Sequence, residues 1–157
     1  MPTTIVAIDP DVDKNGIAIL DKAQRTIAVR SLTFPPTLEL LHSLQGRSDV
    51  LVCIEAGWLI HHNWHVDTAA NNRYITAAIG NSAGRNHEVG RKLAEMCEYW
   101  QLTYKLQQPL KKCWRGKDRK ITAAELTQVL QRYKLKAEFK RTGQDVRDAC
   151  LLAIAQM

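Results

Sequence analysis

Ile5-Val6-Ala7-Ile8-Asp9-Pro10-Asp11-Val12-Asp13-Lys14-Asn15-Gly16-Ile17-Ala18-Ile19-Leu20 is the stretch on which the fold turns. Four apolar residues run straight into Asp9-Pro10, the mark of a buried strand stopped by a turn. Gly16 to Leu20 resumes as a second strand and Thr26 to Leu32 as a third, so the chain opens with an antiparallel meander. Pro35-Pro36 breaks it, and Thr37 caps a helix through Leu38, Leu40, Leu41 and Leu44 that Gly46 ends. Asp49 to Glu55 is apolar between its two acids, as a strand covered on both faces should be.

Trp58 to Ser82 is polar and irregular, with Trp58, Trp64, Tyr74 and three histidines, and reads as a mobile loop or partly helical flap. Val89, Leu93, Met96, Cys97 and Trp100 recur at helical spacing, which predicts a helix from about Arg85 to Trp100. Leu102 to Leu106 is a short strand stopped near Pro109. Thr122, with Glu125 three residues on, forms a capping-box pattern ahead of a helix carrying Leu126, Val129 and Leu130. Asp145 to Gln156 closes the chain as a last helix. The sum is an α/β protein: a mixed five-stranded sheet with helices on both faces. No repeat or linker divides residues 1–157, so a single domain is expected.

The 157 residues are 45% apolar and 24% charged, a globular profile that excludes a disordered chain. No apolar run approaches the roughly 20 residues that cross a bilayer, and Met1-Pro2-Thr3-Thr4 lacks the basic start of an export signal, so no membrane association and a cytoplasmic location are expected. Four scattered cysteines, Cys53, Cys97, Cys113 and Cys150, form no CxxC pair and read as reduced thiols. Between Lys105 and Arg141 stand twelve Lys or Arg against three acids, a local +9, whereas the whole chain is +6. That density favours a polyanionic partner, nucleic acid foremost; a solvated lysine-rich helix face is the bland alternative.

Four acids carry the chemistry. Asp9 ends the first strand and Glu55 the fourth; if those strands are neighbours, both carboxylates emerge side by side. Asp145 and Asp148, three apart, share one side of the last helix's first turn. Each has a plain alternative: turn chemistry at Asp9, a surface strand end at Glu55, and an N-cap at Asp145 with Asp148 at N3. Four acids on three converging element ends are harder to explain that way. Clustered carboxylates repel unless protons or cations neutralise them, and an all-oxygen set selects Mg²⁺, with Mn²⁺ as a substitute. Two such ions about 3.5–4 Å apart bind the attacking and leaving oxygens of a phosphodiester, and the product carries a 5′ phosphate.

The run from Asp9 to Ile19 resembles the opening of RuvC-type Holliday-junction resolvases, in which Asp-Pro-Gly is followed at the same distance by a Gly-apolar-small-apolar strand. Ile54-Glu55 is similar to the strand that ends in the family's catalytic glutamate. Asp145-Val146-Arg147-Asp148-Ala149 resembles its final pair of acids, and Gly84 to Gly90 the start of its middle helix. The resemblance implies the ribonuclease-H-like fold and a Mg²⁺-dependent, structure-selective endonuclease acting on four-way DNA junctions. It implies that Asp9, Glu55, Asp145 and Asp148 hold two metal ions. Lys120 is the match for a catalytic lysine and Lys111 or Lys112 for a second, with phosphate contact the alternative for all three. The sequence departs from the family at Asp11, where a glycine is usual, and in Ala56-Gly57-Trp58.

Arg115, Lys117 and Arg119 of the basic loop, with Arg85, complete the expected nucleic-acid contacts. Trp58, Trp64 and Tyr74 can stack on unpaired bases for about 1–3 kcal/mol each, the alternative being that one or two of these rings cover the core edge; Trp64, expected to be exposed, joins the contacts. Trp58 is expected to be at least partly buried. His61 and His65 stand four apart as in some zinc sites, but no second ligand pair has a recognisable spacing, and substrate contact is preferred. The resemblance also implies a homodimer through Val89, Leu93, Met96 and Trp100; the same stripe is ordinary core in a monomer. Two other functions remain open: a non-catalytic nucleic-acid-binding module, and a ribonuclease cutting RNA–DNA hybrids. The second ranks lower because its glutamate normally sits on a helix, whereas Glu55 ends a strand.

Overall fold

The structure is a computed structural model that describes residues 1–60 and 73–157. His61, His62, Trp64 and His65 lie outside the described residues. Strands β1 (Thr4–Asp9), β2 (Asn15–Asp21) and β3 (Thr26–Leu32) form the antiparallel meander. Helix α1 (Phe34–Ser43) leads to β4 (Val50–Glu55), which returns parallel to β1 on its other side. Helix α2 (Arg73–Tyr99) is followed by β5 (Tyr104–Gln107), parallel to β4. Helix α3 (Ala123–Arg132), strand β6 (Lys136–Ala137) and helix α4 (Gln144–Ile154) complete the chain.

The sheet runs β5-β4-β1-β2-β3-β6. Because successive strand residues face opposite ways, β1 serves two cores. Ile5 and Ala7 meet α3 and α4 through Leu126, Ala149, Cys150 and Leu152. Val6 and Ile8 meet α1 and α2 through Leu41, Leu93 and Cys97. A strand buried on both faces has no place for polar residues until it leaves the sheet, which is why its first acid stands at its C-terminal end.

Several boundaries differ from the sequence reading. The sheet has six strands rather than five; the extra one is a two-residue edge pairing with β3, too short to show any alternation. Pro35 and Pro36 begin α1 instead of breaking the chain before it, since proline lacks only an N–H that the first turn leaves unused. Thr37 therefore lies inside the helix, and its hydroxyl donates to the Thr33 carbonyl at 2.8 Å. Helix α2 starts at Arg73, not Arg85. The turns spanning 77–85 are exposed throughout, so no apolar stripe announces them, and of the two forms expected there, loop or partly helical flap, the chain is helical from Arg73 on. The N-cap of α4 is Gly143, so Asp145 is not a cap. The Thr122 capping box forms as read: the Thr122 hydroxyl accepts from the Glu125 N–H at 3.2 Å, and Glu125 accepts from the Thr122 N–H at 2.9 Å.

The stripe on α2 contributes to the core in part. Leu93 is fully buried, and Val89 and Trp100 pack on the chain's own sheet. All four cysteines are free thiols, three buried and Cys113 exposed. Among the described residues no helix is long and apolar enough to cross a membrane.

Candidate active site

Parallel pairing sets Ile8 beside Ile54, so the next residues, Asp9 and Glu55, leave the sheet together. Helix α4 crosses this edge by lying directly against β2. Gly16 permits the approach, since a Cβ there would overlap the Asp145 carbonyl. Asp148, one turn into the helix, then joins Asp9 and Glu55 around a cavity of 110 Å³ with Lys111, Lys112 and Lys120 on its wall.

The electrostatics follow from this crowding. Burial, then repulsion from Glu55 and Asp148, pushes the Asp9 carboxyl well above its ordinary range, with Lys120 opposing. Burial first and Asp148 second also raise Glu55, against Lys112 and Lys120. Lys120 Nζ lies 3.5 Å from Asp148 Oδ2. Two half-buried acids whose ionisation is disfavoured gain from a nearby cation, and their all-oxygen donor set suits a hard one. The residues present thus fit Mg²⁺ in chemistry. They are not a finished cage: among the described residues no group of three His, Cys, Asp or Glu side chains is drawn together tightly enough to hold an ion.

Asp145 stands apart from the trio. It lines only the wider cleft of 420 Å³ that opens beyond the cavity, and its Oδ2 accepts from the Ser31 hydroxyl at 2.7 Å. Asp11, in place of the glycine, closes its own turn by accepting from the backbone N–H of Asp13 at 2.8 Å. Its second oxygen meets the Asn86 amide at 3.4 Å, and it adds to the repulsion on Asp9. Fully buried Asn15 holds the same turn, accepting from the Asp11 N–H and donating to Thr37, each at 3.0 Å.

Of the expected nucleic-acid contacts, Lys111, Lys112 and Lys120 line the cavity. Arg115, Lys117 and Arg119 are exposed on the basic loop and do not line it; Arg85 is exposed on α2. That loop is an ordered turn: Gly116 N–H donates to the Lys120 carbonyl at 2.9 Å, and Trp114 packs on the core. The opposite wall of the cleft has Asn86 and His87 of α2 and half-buried Trp58, whose ring lies 6.4 Å from that of His87 and 5.4 Å from the Arg91 guanidinium. Asn86, His87, Ser31 and Gln144 escaped the sequence reading. They are polar residues without motif or periodicity, recruited by contacts between distant elements.

No protein-family model matches the chain, and no curated protein is similar to it in sequence. Its structure is similar to that of T. thermophilus RuvC in complex with a Holliday junction substrate, with a TM-score of 0.50 and 10% identity over 97% of this chain and 90% of that one. A Thermus thermophilus RuvC structure also matches, with a TM-score of 0.45 and 12% identity over 96% and 91%. The chain thus has the ribonuclease-H-like fold seen in RuvC: a mixed sheet with an antiparallel meander, and helices on both faces.

Proposed function

We propose that the chain is a metal-dependent endonuclease that cuts phosphodiester bonds in branched DNA, the four-way junction first among them. The observation that carries this reading is the meeting of Asp9, Glu55 and Asp148 with Lys112 and Lys120 at one sheet edge. The fold supports it, being that of a protein whose structure was solved with a Holliday junction.

In this reading Asp9, Glu55 and Asp148 hold Mg²⁺ or Mn²⁺, and Asp145 completes the set by leaving Ser31. Bound there, Mg²⁺ or Mn²⁺ would activate a water and neutralise charge at the phosphate. The chain's own groups do the rest. Lys120 and Lys112 face the anionic phosphate and stabilise the charge that develops on it. Lys111, Arg115, Lys117, Arg119 and Arg85 contact the backbone of the DNA arms, and Trp64 stacks on an unpaired base. A homodimer of this chain would cut two symmetric strands.

The test is cleavage of a labelled four-way junction beside linear duplex and an RNA–DNA hybrid, in Mg²⁺ and in EDTA, with Asp148→Asn in parallel. Paired symmetric nicks in the junction, absent in EDTA and in the variant, support the reading; cutting of the hybrid alone overturns it. One observation favours a second reading, a non-catalytic junction-binding module: among the described residues the acids do not close into a three-ligand group. Tight junction binding without cleavage in either metal would select that one.

A further inference from the structure

Arg147 and Gln144 have no part in the chemistry above, yet their side chains are hydrogen-bonded to each other and, through Gln144, to Asp148. The Arg147 guanidinium donates from Nε to the Ile121 carbonyl at 3.1 Å, from Nη1 to the Thr142 carbonyl at 2.6 Å, and from Nη2 to Gln144 Oε1 at 2.9 Å. Arginine only donates, so the Gln144 amide must turn its oxygen to Arg147 and its NH₂ outward. That NH₂ donates to Asp148 Oδ1 at 2.8 Å. The other Asp148 oxygen faces Lys120, the residue preceding Ile121, whose carbonyl Arg147 holds.

The contacts close into a ring. One guanidinium fixes the amide that orients one oxygen of Asp148, and the backbone next to the lysine that faces the other. Both residues are half-buried, and they join three separated pieces of chain: the start of α3, the link before α4, and α4 itself. A carboxylate meant to bind a cation needs its free lone pairs aimed, and a neutral donor on one oxygen aims them without adding a competing charge. A lysine in place of Arg147 could not serve, since one ammonium does not reproduce a planar fork reaching three partners.

We propose that Gln144 and Arg147 act as one positioning unit that orients Asp148 and Lys120 for metal and phosphate. This inference rests on the metal-dependent reading above.

The experiment is calorimetric titration of Mn²⁺ into the full chain, wild type beside Gln144→Met, Arg147→Lys and the double variant, with thermal midpoints of the metal-free proteins as controls. Gln144→Met keeps the volume and removes the donor. It is expected to weaken Mn²⁺ binding about 10- to 100-fold with an unchanged midpoint, a combination that a merely structural role would not give. Arg147→Lys is expected to weaken it similarly, and the double variant to lose no more than the weaker single one, as members of one chain do. Wild-type affinity in Gln144→Met, or losses that multiply in the double variant, overturns the inference and leaves the metal site standing. A wild-type chain that takes up no Mn²⁺ overturns the metal reading itself, and this inference with it.

Discussion

At the scale of single residues, Asp9 shows what burying an acid among acids does. Its carboxyl is raised by burial and by Glu55 and Asp148, so the folded state favours its protonated form. The fold has the full benefit of that proton below the ordinary carboxylate range and loses it as pH rises through the raised folded value. Asp9→Asn removes the loss. In EDTA at neutral pH the variant should melt above the wild type, by about 2–4 °C for each kcal/mol of relieved repulsion, and the two midpoints should converge near pH 4. Equal midpoints at both pH values would mean the carboxylate is better solvated than its surroundings suggest. Asp145 and Asp148 differ as well, because only Asp148 reaches the cavity while Asp145 is bonded to Ser31. Under the proposed function, Asp145→Asn should slow junction cleavage at least about 10-fold less than Asp148→Asn, because Asp145 joins the metal set only after giving up its bond to Ser31.

At the scale of elements, the site depends on how closely α4 lies on β2. Gly16→Ala places a methyl against the Asp145 carbonyl and must lift the first turn of the helix. The expected cost is about 1–3 kcal/mol, read by chemical denaturation, together with weaker Mn²⁺ binding because Asp148 rides on the displaced turn. Thr122→Ala removes half of the α3 capping box, beside Lys120 and Ile121. It should cost about 1 kcal/mol, measurable by the same method. These elements were unevenly legible in the sequence. The capping box and the acid-ended strands are local patterns that name themselves. The start of α1 was not, because two prolines read equally well as a break or as a first turn, and only packing decides. The exposed turns of α2 and the two-residue β6 lack the apolar periodicity from which elements are recognised.

For the molecule as a whole, charge and fold act at one edge. The basic segment from Lys105 to Arg141 presents its ordered loop beside the carboxylates, so under the proposed function a polyanion drawn to the loop would arrive at the acids. Replacing Arg115, Lys117 and Arg119 together with alanine should flatten the salt dependence of junction binding, lowering the slope of log K against log salt by up to about 3. An unchanged slope would place the DNA elsewhere on the surface.

What the sequence determined by itself was the alternation of strand and helix, the exit of Asp9 and Glu55 from apolar strands, and the pairing of Asp145 with Asp148 within one helix turn. All of these are local patterns, set by which side chains leave water and by helical spacing. Tertiary structure alone decided that β1 and β4 are neighbours, that Asp148 enters the cavity while Asp145 turns to Ser31, and that Arg147 and Gln144 bracket the site. Such contacts depend on where elements distant in the chain come to rest. A hydrogen bond between residues on different elements leaves no periodicity behind it.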